Sequence, residues 1–81
     1  LAEAFEEAFA DVNRAIELNP RSPIAFAYRA FLYKQSGQPD IGQKDVETAL
    51  KLDEKAAEVL WARAEIAEAR GQTDAAIADL R

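Results

Sequence analysis

Charged residues recur at fixed spacing. Arg29 precedes Asp45 by the same interval at which Arg63 precedes Asp79. Asp11 precedes Asp45 by the interval that separates Arg29 from Arg63, so it holds the equivalent place. Charges in such a pattern suit proton transfer, ligand binding or ion pairing. The chain has no His and no Cys. That removes the commonest general base and metal ligand, and every Ser-His or Cys-His nucleophile pair. Disulfides and thiolate metal sites go with them. Asp and Glu total 15, so a carboxylate pair could be drawn almost anywhere, and on charge-dense helices most carboxylates are solvated or paired at i,i+4. No glycine-rich phosphate loop and no metal-ligand spacing is visible. Ion pairing remains. A lone arginine in a core position would be costly, so Arg29–Asp45 and Arg63–Asp79 are read as structural pairs, each joining two neighbouring helices. Asp11 has no such partner in the chain.

Composition limits the rest. At 81 residues the chain is one domain or a piece of one, with a thin core. Its net charge of −5 argues against a nucleic-acid footprint, which needs a basic stripe. No apolar run approaches the roughly 20 residues of a membrane helix, and no signal peptide is visible. The chain opens on Leu1 and stops at Arg81 inside a helical pattern, which reads as a segment of a longer protein.

The elements that must position these residues are helices. Ala, Leu, Glu, Lys, Gln and Arg dominate, and all are good helix formers. Breakers gather at Asn19-Pro20 to Pro23, at Gly37 to Pro39, and at Gly71 with Thr73; Asp53-Glu54 is a weaker break. About five helical segments fall between them. Ser22 suits a cap and Pro23 a first helical position. Gly37 suits the left-handed stop, with Pro39 opening the next helix. Gly71 repeats that stop, and Thr73 is the next candidate cap. Gaps this short make neighbouring helices antiparallel.

The stretches Tyr28–Val46 and Ala62–Leu80 share Arg-Ala, Gly-Gln and two aspartates, all in register. Ala8, Val12, Ala15, Ile16, Leu18 and Asn19 precede Gly42, Val46, Ala49, Leu50, Leu52 and Asp53 by the same interval that separates those two stretches. A helix–turn–helix period of about 34 residues, with this placing of small and large residues, resembles the tetratricopeptide repeat. Phe26, Ala30, Tyr33, Val46 and Ala49 fit its motif in the middle repeat. Ala8, Val12, Ala15 and Pro20 fit in the first half-repeat, and Leu60, Ala64, Ala76 and Leu80 in the last. Arg29 and Arg63 depart from it where leucine is usual, Gly42 where alanine is, Glu54 where proline is, and Ala67 where tyrosine is.

The resemblance implies an all-α fold: antiparallel helix–turn–helix repeats stacked into a right-handed solenoid. Residues 1–20 would be the second helix of a first repeat, 21–54 a complete repeat, and 55–81 a partial third. Small residues at helix crossings (Ala8, Ala30, Gly42, Ala64, Ala76) would let backbones approach, with Phe26, Tyr33, Val46 and Leu60 filling in around them. Leu60, Ala64 and Ala67 would form the core stripe of the last repeat's first helix.

It also implies a non-catalytic scaffold that binds a peptide or helix along a concave groove lined by the first helix of each repeat. The groove candidates are Ala27, Phe31 and Lys34 on one helix, and Glu58, Trp61, Glu65 and Glu68 on the other. Trp61 suits an anchor, and packing between repeats is the competing role for it and for Phe31. The basic clamp with which some family members hold a carboxylate terminus is absent, since the matching places are Ala27, Tyr28, Phe31, Glu58, Ala62 and Glu65. The acids around Trp61 favour a basic or amphipathic partner. No catalytic residue, metal site or cofactor is expected, and no nucleic acid or membrane as partner. A regulatory or substrate-docking segment of a multidomain enzyme is the alternative. The chain holds about 2.4 repeats, short of the roughly three a solenoid wants. Marginal stability, or a homo-oligomer joined through the open repeat ends, follows.

Overall fold

A computed structural model describes residues 2–79, with side chains described for residues 3–71. Four helices follow in order: α1 (Ala2–Leu18), α2 (Pro23–Gln35), α3 (Pro39–Leu52) and α4 (Ala57–Asp79). The described residues hold no strand, and the fold is all-α.

Local chemistry explains the joints. Ser22 caps α2, its Oγ accepting from the Ala25 N–H at 3.2 Å, and Pro23 takes the first turn. Satisfying one orphan N–H this way stabilises a helix start by about 1 kcal/mol. At the far end of α2, Gly37 adopts φ 81°. The Gly37 N–H donates to the Lys34 carbonyl at 3.1 Å, and the Gln38 N–H to the Tyr33 carbonyl at 2.7 Å. This is the two-bond left-handed stop that glycine accepts without steric cost. Pro39 follows and opens α3. A proline also disfavours helical geometry in the residue before it, and Gln38 is non-helical at φ −126°, ψ 55°. The other two joints repeat each other. Asn19 Oδ1 accepts from the Arg21 N–H at 3.2 Å, and Asp53 Oδ1 accepts from the Lys55 N–H at 3.0 Å. These are side-chain turns at equivalent places of successive repeats.

Helix α2 is the hub. Among the described residues it packs against α1, α3 and α4, while α1 touches α2 alone and α4 touches α2 and α3. The core is Ala27, Ala30, Val46, Ala49, Val59, Ala62 and Ile66, with Phe26 and Leu50 packed at its edge. Gly42 is where α3 comes closest: a Cβ there would lie 2.9 Å from the Ala30 carbonyl oxygen and 2.8 Å from Ile66 Cδ1.

Two expectations need correction. The fifth helical segment is not separate, because α4 runs through Gly71 to Asp79. Gly71 lacks a positive φ, and a Cβ on it would meet nothing within 4 Å. Thr73 stands where Pro39 stands one period earlier, so no proline forbids continuation. The core stripe of α4 is also displaced by one residue. Val59, Ala62 and Ile66 face α2 and α3, whereas Leu60, Ala64 and Ala67 are exposed. The small residue Ala64 therefore marks no crossing among the described residues, unlike Ala30. Ala76 lies outside the described side chains.

Candidate functional site

Helices α2 and α4 pack side by side and present a shared wall. The rings of Phe31 and Trp61 stack at 4.9 Å between centroids, tilted by 38°. Beside them Lys34 Nζ pairs with Glu65 Oε2 and lies 5.9 Å from the Phe31 ring centre. Trp61 remains 45% exposed although it is stacked. Glu58 and Glu68 are exposed on the same helix as Trp61. Four candidates are thus brought into direct contact: Phe31, Lys34, Glu65 and Trp61. Ala27 is not part of this surface. It is 1% exposed and belongs to the core, because it faces the seam between helices.

The Lys34–Glu65 contact is absent from the sequence-derived assignment. Sequence spacing carries no signal for it: Glu65 stands one period after Phe31 and Glu68 one period after Lys34, so only the way α2 and α4 cross brings Lys34 and Glu65 together. One consequence is that Lys34, being paired, contributes little free positive charge beside the exposed Glu58 and Glu68 of α4.

A second constellation sits deeper. Arg29 Nε donates to Asp45 Oδ2 at 2.8 Å and Arg29 Nη2 donates to Asp45 Oδ1 at 2.7 Å, a two-pronged pair between α2 and α3. The third prong, Nη1, donates to Asn13 Oδ1 of α1 at 2.9 Å. The guanidinium also lies 5.5 Å from the Phe26 ring centre. Asp45 is 5% exposed, and a carboxylate at that depth needs both oxygens occupied. The hydrogen bond to Asp45 holds the Arg29 pKa above its ordinary value, against the opposing effect of burial. Asn13 is a partner that spacing alone did not reveal. The corresponding Arg63 is exposed, and its pairing with Asp79 lies outside the described residues.

Arg29 is engaged with Asp45 and Lys34 with Glu65, and no cluster of three or more metal-ligating side chains occurs among the described residues. No helix there is long and apolar enough to cross a membrane.

Two relatives share this sequence pattern. Over 54 residues, 67% of the chain, it is 41% identical to small glutamine-rich tetratricopeptide repeat-containing protein 2 of Mycosarcoma maydis. Over 76 residues, 94% of the chain, it is 32% identical to TPR repeat-containing thioredoxin TDX of Arabidopsis thaliana. The chain spans 15% and 20% of the length of these two relatives. No family model matches the chain, and no solved structure matches it significantly. The second relative is named as a thioredoxin; the present chain has no cysteine, so no thiol chemistry resides in it.

Proposed function

Taking the chain as an all-α region like a tetratricopeptide repeat, a kind of protein-interaction module, we propose that it is a scaffold without chemistry of its own. It receives a basic or amphipathic peptide along the α2–α4 wall. The observation that supports this most is the half-exposed Trp61 stacked on Phe31. The stack fixes the indole without covering it, so an incoming side chain gains contact area at little cost in side-chain entropy. Glu58 and Glu68 flank it and select for positive charge. Lys34 and Glu65 brace the wall.

A peptide-library screen tests the proposal, run beside Trp61→Ala at low and moderate salt. Basic peptides should bind, lose affinity as salt rises, and lose at least about tenfold in the variant, the loss of a typical anchor. Tight binding of acidic peptides, or unchanged binding in the variant, would reject it.

A second reading, a docking segment of a multidomain enzyme, draws support from the relative whose name joins such repeats to a thioredoxin. Reading the coding sequence on either side of these residues decides it. A catalytic domain in frame would favour docking.

A further inference from the structure

A cation set beside a phenylalanine ring and paired with a carboxylate of another helix occurs twice in this chain. In the first case Arg29 stands one helical turn after Phe26, lies 5.5 Å from its ring centre and grips Asp45 with two prongs. In the second, Lys34 stands one helical turn after Phe31, lies 5.9 Å from its ring centre and pairs with Glu65. The two differ in how firmly they close. Asp45 is buried, and both its oxygens are held. The Lys34 and Glu65 side chains are 28% and 27% exposed, and among the described residues only Oε2 of Glu65 is engaged. An ammonium acts on a carboxylate as a point charge, whereas a guanidinium matches both oxygens at once. Trp61 lies one helical turn before Glu65 and leaves part of its indole open beside the pair. Both helices that build this second arrangement are described, so it does not depend on what adjoins the array.

We propose that Lys34 is an exchangeable occupant of this place, and that the peptide received by the wall carries an arginine that displaces it. The arriving guanidinium takes Glu65 with two prongs, as Arg29 takes Asp45, and lies against the Trp61 indole, a face that guanidinium groups stack on well. Lys34 swings out into water, where an ammonium is strongly hydrated. A lysine on the peptide gains nothing by the exchange, since it replaces one ammonium with another.

Lys34 is thus a specificity-determining residue: it braces the empty wall, and it sets a threshold that arginine passes and lysine does not. This rests on the reading of the α2–α4 wall as a peptide site and adds to it the identity of the anchoring side chain.

Fluorescence anisotropy tests it with two labelled peptides, one repeating Gly-Leu-Arg and its twin repeating Gly-Leu-Lys. The wild-type chain should prefer the arginine peptide by about tenfold, the worth of one further hydrogen bond to a charged group. Lys34→Arg fills the place with a guanidinium of the chain's own. It should weaken the arginine peptide to the level of the lysine peptide, although the net charge is unchanged. Lys34→Met should tighten both peptides by up to about fivefold, the worth of an exposed ion pair, because no cation then has to leave. A lysine that only braced the wall would give the opposite signs: Lys34→Arg would bind as well as wild type, and Lys34→Met would bind worse. Either result, or equal binding of the two peptides by the wild-type chain, overturns the exchange; if Trp61→Ala still loses binding, the peptide groove survives it. If neither peptide binds the wild-type chain or Lys34→Met, the groove and the exchange fall together.

Discussion

The stretches Tyr28–Val46 and Ala62–Leu80 are close copies in sequence and differ in structure. In the first, Gly37 turns the chain with φ 81°, Pro39 starts α3, and Arg29 closes on Asp45. In the second, α4 passes straight through Gly71, and Arg63 is exposed with no ion-pair partner among the described residues. Both copies contain Gly-Gln. Glycine only permits a left-handed stop; the proline two residues on enforces it, by excluding helical geometry before it and removing a helical N–H donor. What differs is Pro39 against Thr73, together with what each helix has to pack on.

The largest effect should come from separating the two arginines. Arg29→Ala leaves Asp45 buried without its partner and should cost about 3 kcal/mol in urea unfolding. Arg63→Ala, measured dilute, should leave the midpoint unchanged. Equal losses would mean that the two arginines have equivalent partners. The Arg29 pKa is raised on folding, so its contribution is complete below the pKa of the unfolded chain and disappears as pH rises through the higher folded value. That window is strongly alkaline, and the Arg29 contribution should be constant through neutral pH.

Next comes the proline itself. Thr73→Pro places a breaker inside α4, where an interior proline costs about 3 kcal/mol or more. Helical ellipticity should fall. Unchanged ellipticity would show that the chain already turns at Gly71, as it does at Gly37.

The smallest contrast is between two helical glycines. Gly42→Ala drives a methyl onto the Ala30 carbonyl and Ile66. The backbone oxygen cannot yield easily, so overpacking of about 1–3 kcal/mol should outweigh the helix-propensity gain of at most about 1 kcal/mol. Gly71→Ala meets open space and should stabilise by up to that same gain, about 1 kcal/mol. If both variants stabilise, the α2–α3 crossing is looser than the geometry indicates.

Much of the fold was legible because the signals were local and repeated. Ser22, Pro23, Gly37 and Pro39 each act within a few residues of themselves, and the repeat interval placed α1, α2 and α3. The core face of α4 was not legible. Leu60, Ala64 and Ala67 and the true stripe of Val59, Ala62 and Ile66 are both apolar at helical spacing, and only neighbouring helices decide which is buried. The same limit applies at the wall. Phe31 and Trp61 could be named from sequence, but their stacking depends on how α2 and α4 cross. Ala27 was misplaced because spacing does not distinguish a groove from a seam. Asn13 escaped notice because a third partner to an ion pair leaves no spacing of its own.

The central position of α2 has a kinetic consequence. Because among the described residues α1 is held by α2 alone while α2 is held on three sides, the array should open one helix at a time rather than all at once. Amide exchange would record that order, with α1 the first to exchange and α2 the last, protected until the whole chain lets go.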